Sequence, residues 1–188
     1  MKKITHIIIA DKYVEGFGYQ ENLLARKHKN MGFEVSIIAS ELCALPQQKK
    51  FLKVEDYVNN EGIKVSILPL NNYWKWCKYT SFLFYKTKGL YNKIAQFAPD
   101  VIFIHGLMNH DLWDVIRYKN EHPDIKIYVD NHRDYYNTPV RRRIKIMELF
   151  CRRVHRKLIP ICEQFWGTTP WRVDYLIDVF KIPLEKTG

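Results

Sequence analysis

Short apolar runs that alternate with helix-length segments constrain this chain more than any other feature. Ile4 to Ala10, Phe33 to Ser40, Lys64 to Leu70, Val101 to His105 and Lys126 to Asp130 are rich in β-branched residues and bounded by turn signals, and Gln164 to Thr168 is a shorter run of the same kind. Each predicts a strand. Between the first two, Tyr19 to Met31 carries Leu23, Leu24 and Lys27 at helical spacing and stops at Gly32, a natural left-handed cap. Further helices are predicted over Thr80 to Ala98, stopped by Pro99, over Asp111 to Glu121, stopped before Pro123, and over Val140 to Leu158. A last one starts near Pro170 and ends before Pro183. The alternation predicts an α/β fold: a doubly wound, mainly parallel Rossmann-like sheet with helices on both faces and with ligands at the carboxyl ends of the strands. Ser40 to Gly62 reads as a long connection with room for a flap or short helices.

Composition narrows the class. With 188 residues, 47% hydrophobic and 27% charged, the chain suits one folded domain spanning 1–188. Lys and Arg number 30 against 20 Asp and Glu, and the net charge of +10 points to an anionic partner: nucleic acid, a phosphorylated substrate or an acidic lipid surface. Cys43, Cys77, Cys151 and Cys162 form no C-x-x-C pair, which argues against a zinc ribbon or a disulfide scaffold and favours a reducing, cytoplasmic setting. The start, Met1-Lys2-Lys3 before an apolar run, imitates a signal peptide, but His6 interrupts the run and Asp11 and Lys12 close it without a cleavage pattern. No apolar stretch is long enough for a membrane span, so membrane contact is expected to be peripheral.

Candidate functional residues cluster where strands end. After the first strand, Gly16-Phe17-Gly18 runs into a helix start, where glycine allows close backbone approach and unpaired amides favour an anion such as a diphosphate. The dinucleotide fingerprint wants a small residue where Glu21 stands, although Glu41 after the second strand occupies a ribose-binding position, so a nicotinamide enzyme is not favoured. His105 closes the fourth predicted strand, where an imidazole can bond a sugar hydroxyl or exchange a proton. The fifth ends Asp130-Asn131-His132-Arg133-Asp134; with His105 and His110 it also admits a metal-dependent hydrolase built on Asp130, His132 and His105.

Two segments bear on surfaces. Arg141, Arg142, Arg143, Lys145, Arg152, Arg153, Arg156 and Lys157 share one predicted helix with an apolar stripe, and Trp74, Trp76 and neighbouring aromatics are interleaved with lysines. Interfacial membrane anchors look like this, and so do single-stranded nucleic-acid platforms; no nucleic-acid motif supports the latter, so no nucleic-acid partner is expected. A non-enzymatic module on an anionic membrane or nucleic acid stays as the alternative.

Glu15-Gly16-Phe17-Gly18-Tyr19-Gln20-Glu21-Asn22-Leu23-Leu24-Ala25, the helix end Met31-Gly32-Phe33-Glu34-Val35, Pro99-Asp100-Val101-Ile102-Phe103-Ile104-His105-Gly106-Leu107 and Trp166-Gly167-Thr168-Thr169-Pro170 together resemble the amino-terminal, acceptor-side domain of family 4 (group 1) glycosyltransferases of GT-B architecture. The resemblance implies retaining transfer of a sugar from a nucleotide-diphosphate donor to a glycan or lipid-linked acceptor in cell-surface polysaccharide synthesis, with no cofactor and no required metal. It implies His105 as the catalytic histidine near the reacting carbon. Gly16, Phe17, Gly18, Tyr19, Asn109, His132, Arg133 and Asp134 would bind donor or acceptor, and Trp74, Trp76, Arg141, Arg142, Arg143 and Lys145 would face an anionic membrane from the cytoplasmic side. In that family a carboxyl-terminal domain holds the donor, so the native protein is expected to have one and these 188 residues to be poorly active alone.

Overall fold

The computed structural model describes residues 1–8, 13–41, 52–71, 86–107, 110–137 and 152–188. Its centre is a seven-stranded sheet: β1 (Lys3–Ile8), β2 (Glu34–Ser40), β3 (Glu55–Val58), β4 (Lys64–Leu68), β5 (Val101–His105), β6 (Lys126–Asn131) and β7 (Gln164–Gly167), in spatial order β3-β4-β2-β1-β5-β6-β7. Every neighbouring pair is parallel except β3 with β4. The helices are α1 (Gln20–Asn30), α2 (Leu90–Phe97), α3 (Leu112–Glu121), α4 (residues 152–158) and α5 (Pro170–Asp178). This is the predicted doubly wound, Rossmann-like α/β fold.

The chain builds outward from β1 through β2 to β4, then crosses back to place β5 on the other side of β1. The order therefore reverses between β1 and β5, the position where open parallel sheets leave a crevice for ligands. Alternation along the strands divides the core in two. Ile7, Ile38, Ile102, Ile104, Ile127, Val129 and Phe165 pack with residues of α2, α3, α4 and α5, while Ile8, Val35, Ile37, Ala39, Val65 and Ile67 pack around Ala25 of α1.

Three differences from the sequence reading have physical causes. The long connection after β2 contains an edge strand, β3, whose alternating half-buried and exposed residues Glu55, Asp56, Tyr57 and Val58 give no apolar run. The helix predicted from Thr80 begins at Leu90 in the described part: Thr87 pairs with Leu70 in an antiparallel bridge, and Gly89, at φ 84, starts the helix. Residues 80–85 of that prediction lie outside the described residues, as do 140–151 of the basic helix, whose described remainder is α4.

The third difference concerns α1. The face it buries is not the Leu23 stripe, since Leu23 is 46% exposed, but Glu21, Asn22 and Ala25, with half-buried His28 one turn further on. A polar buried face must find polar partners, and here they are the strand ends of the switch point. The helix closes as predicted: the N–H of Phe33 donates to the carbonyl of His28 at 3.2 Å and that of Gly32 to Lys29 at 3.0 Å, with Gly32 at φ 87.

Candidate functional site at the strand-order reversal

The turn after β1 is held by α1. Gly16 has φ 79, a conformation that costs L-residues strain, and the N–H of Phe17 donates to the carbonyl of Val14 at 3.2 Å. Asn22, 6% exposed, reaches back from the helix and donates its Nδ2 hydrogens to the carbonyls of Val14 at 2.5 Å and Phe17 at 3.2 Å. Gly16, Phe17 and Gly18 remain exposed, Phe17 stacks on half-buried Tyr19 with ring centroids 5.7 Å apart, and no side chain caps the helix start at Tyr19. Around both glycines a Cβ would meet nothing within 4 Å, so the turn has open space in front of its backbone.

Across the switch point the register sets His105 of β5 between Ile8 of β1 and Asp130 of β6. His105 Nδ1 lies 2.8 Å from Asp130 Oδ2, with both side chains essentially unexposed. His105 Nε2 lies 2.9 Å from Nδ1 of His6, on β1, and His6 Nε2 lies 3.0 Å from Nδ1 of His28, on α1. Three imidazoles and a carboxylate thus form one hydrogen-bonded line. The His6 ring stacks on those of Phe103 and His105 at 5.4 and 5.2 Å, and Phe33 meets His28 edge-on.

On the other side of Asp130, His132 Nε2 stands 3.5 Å from Asp130 Oδ2 and 3.5 Å from Glu21 Oε1. His132 is 22% exposed, so it is the ring of this cluster that opens outward. Burial alone would raise the Asp130 pKa, but the charge and hydrogen bond of His105, with those of His132, outweigh it and hold the carboxyl well below the usual carboxylate range. The His6 pKa is likewise lowered, first by burial and then by repulsion from His105 and His28, with Asp130 opposing, and this favours the neutral ring.

Glu21, His105 and His132 each bring one potential metal-ligating atom within 4.8 Å of the others. Both ring nitrogens of His105 are already spent on His6 and Asp130, so a metal held by all three would have to break one of those bonds. His110, half-buried, is not among that group.

No protein-family model matches the sequence, and no curated protein matches it. Among solved structures, the chain superposes on the UDP-GlcNAc 2-epimerase from Methanocaldococcus jannaschii over 99% of its own length and 44% of that chain, with 12% identity and a TM-score of 0.48. It superposes on an alpha-glucosyltransferase, solved in complex with UDP and a 13-mer DNA containing a HMU base, over 98% of its length and 41% of that chain, with 12% identity and a TM-score of 0.47. The chain spans less than half the length of either structure. Its fold class rests on its own sheet order.

The expected site residues fall into three groups. Gly16, Phe17, Gly18 and Tyr19 after β1, His105 at the end of β5, and His132 just after β6 all lie along the carboxyl edge of the sheet. Arg133 and Asp134 follow on the same loop, but Asp134 is occupied: its carboxylate accepts from the backbone N–H groups of Tyr136 and Asn137 at 2.9 and 2.8 Å and from Arg172 Nε at 3.3 Å. The bond from Asn137 leads the effects that hold its pKa low. Asn131, fully buried, shapes this loop by donating to the carbonyl of Arg133 at 2.8 Å. Asn109, Trp74, Trp76, Arg141, Arg142, Arg143 and Lys145 lie outside the described residues.

Glu41 is a fastener: 8% exposed, it accepts the N–H of Leu70 at 2.8 Å on Oε1. A hollow of about 340 Å³ between α4 and the end of α5 includes none of the site residues. Among the described residues no helix is long and apolar enough to cross a membrane.

Sequence reasoning missed His6, His28 and the inward role of Glu21 and Asn22. One signal was present: a histidine inside an otherwise apolar strand of a two-sided sheet must find a hydrogen-bond partner.

Proposed function

We propose that the crevice between the ends of β1 and β5 binds a nucleotide-diphosphate sugar and its acceptor, and that the protein serves in sugar transfer to a hydroxyl group. One observation carries this reading: an exposed glycine turn entering an uncapped helix start stands at the strand-order reversal, with a buried His105–Asp130 pair and a partly open His132 on the facing strands. The turn and helix start offer backbone N–H groups to a diphosphate and stabilise the charge that grows on it as the glycosidic bond breaks. His132, whose buried Nε2 is held beside Asp130 and Glu21, is the partly exposed ring against which a hydroxyl group in the crevice can be oriented. His105 is too buried to touch a substrate in this arrangement and acts through Asp130.

The sequence resemblance supports the finer reading: retention at the reacting carbon, no metal requirement, a glycan or lipid-linked acceptor of a surface polysaccharide, and a second domain contributing to donor binding. In the same reading the segments around Trp74 and Arg141 to Arg143 dock the protein on the inner, anionic face of a membrane, and charge reversal at those arginines abolishes binding to acidic vesicles.

The direct test incubates the protein with UDP-, GDP- and ADP-linked sugars and follows release of the nucleotide diphosphate and its binding by calorimetry. Binding of at least one is expected, weakened about tenfold or more by Gly18→Val, at a position where a Cβ would meet nothing within 4 Å, while the unfolding midpoint stays put. Absence of binding across the panel, or equal affinity in the variant, overturns the proposal.

A further inference from the structure

The histidine line has a direction, and Asp130 fixes it. As a carboxylate Asp130 only accepts, so His105 presents Nδ1–H to it at 2.8 Å. In neutral His105 the other nitrogen, Nε2, must then accept, and the donor 2.9 Å away is Nδ1–H of His6. His6 Nε2 accepts in turn from Nδ1–H of His28 at 3.0 Å. One carboxylate therefore dictates three tautomers, ending at a half-buried ring on α1.

Adding a proton reverses the two bonds between rings without moving a ring, and leaves the bond from His105 Nδ1–H to Asp130 as it was. A proton taken up at Nε2 of His28 lets His28 pass its Nδ1 proton to Nε2 of His6, and His6 passes its own Nδ1 proton to Nε2 of His105. His28 and His6 end as neutral Nε2–H tautomers, and His105 becomes an imidazolium bonded to both His6 and Asp130. One proton enters and one positive charge appears, at the far end from where the proton entered.

We infer that His28, His6 and His105 form a single proton-binding unit terminating on Asp130, and that His6 on β1 and His28 on α1 are positioning residues which set whether the ring beneath the crevice is neutral or cationic. A cation there strengthens the hold on an anionic ligand above it and tightens Asp130 away from His132, whereas the neutral line leaves Asp130 its full charge to share with His132.

The surroundings restrict where the charge can rest. Facing the line from α1 is Glu21, which stands against His132, while Lys27 and Lys29 flank His28 in sequence. From β5 comes only His105 besides the apolar ring of Phe103, from β6 Asp130 and the His132 that follows it, and from the start of β2 the ring of Phe33. Burial and its neighbours disfavour a charged His6, and burial followed by His105 lowers His28. The buried Asp130 carboxylate lies against His105, at the end of the line away from α1.

The test needs no substrate, so it fails or succeeds apart from the sugar-transfer reading. Long-range proton–nitrogen NMR spectra of the ¹⁵N-histidine-labelled protein, recorded between about pH 5 and pH 9, identify the tautomer of each ring. In the unaltered protein His6 is expected to change from Nδ1–H to Nε2–H with the same midpoint at which His105 gains its second proton. His28→Glu, an acceptor only, is expected to raise that midpoint by about one pH unit, and His28→Lys, a donor only, to lower it by a similar amount. Lys27→Glu, an exposed charge change beside the line, is expected to move it by less than about 0.3. A His6 tautomer that stays constant while His105 titrates overturns the inference, and this readout needs no variant. So does a Lys27→Glu shift as large as that of His28→Glu, which would reduce the effect to charge at a distance.

Discussion

A Cβ on Gly167 would stand 2.5 Å from the backbone nitrogen of Val173 and 2.8 Å from the carbonyl carbon of Arg172. The end of β7 and the first turn of α5 are therefore pressed together at a point that admits no side chain, and neither backbone can yield cheaply because Val173 N–H is bonded to Thr169 at 3.1 Å. Gly167→Ala is expected to destabilise the protein by about 1–3 kcal/mol, the usual cost of overpacking. Urea unfolding checks it, with an unchanged slope and a lower midpoint.

Lys186 closes the other side of the same region. Its ammonium donates to the carbonyls of Ile159, Cys162 and Pro160 at 2.9, 2.8 and 3.2 Å, tying the residues after α5 to the end of the α4 segment. Lys186→Met keeps the stem and removes the donors, and a loss of about 1–2 kcal/mol is expected by the same measurement. A loss below about 0.3 kcal/mol would mean that water serves these carbonyls equally well.

Asp111 brings a pH dependence of one sign. Burial, against the bonds from the N–H and hydroxyl of Thr87 at 2.8 Å each, pushes its pKa up to about 6. A raised carboxyl favours the folded state fully below the unfolded value of 3.8, and the benefit is lost as the pH climbs through about 6. Asp111→Asn, which can keep both contacts to Thr87, is expected to remove this term. The stability of the variant relative to the unaltered protein should rise between about pH 4 and pH 7, by an amount on the order of 2–3 kcal/mol.

Asp130 works in the opposite sense. Its depressed pKa means that its contribution is present above the unfolded value of 3.8 and disappears only as the pH falls well below it. Asp130→Asn leaves His105 without an anionic acceptor, and a cost of about 3 kcal/mol is expected at neutral pH. Asp130 itself stays ionised between about pH 5 and pH 7, so a change in that cost across this range in urea titrations would report proton uptake by the histidine line rather than by the carboxylate.

Much of the architecture was legible because parallel strands buried on both faces read as apolar runs, and six of the seven strands announce themselves so. Glu55 to Val58 does not, because an edge strand with one wet side and acidic residues has no run to show. The start of α2 was overreached because nothing in the stretch before Gly89 marks the bridge between Thr87 and Leu70, a contact far apart in sequence. The site was half legible. His105 and His132 follow from the rule that ligands gather at strand ends, but His6 and His28 meet His105 only through the β1–β5 register and the rotation of α1, and local spacing encodes neither. Leu23 misled for a related reason: a helix facing a polar crevice turns its acid, amide and imidazole inward and leaves a leucine outside.

The glycine turn is gripped from two sides. Asn22 holds it from α1, while the turn joining β3 to β4 holds Glu15 just before it, through the N–H of Asn60 at 2.9 Å, and anchors itself to α1 by the Arg26–Glu61 pair. Residues 59–61 thus brace the glycine turn from outside the strand ends. The hairpin between β3 and β4 is therefore a remote handle on the turn: its residues touch Glu15 and α1 but none of the rings of the histidine line.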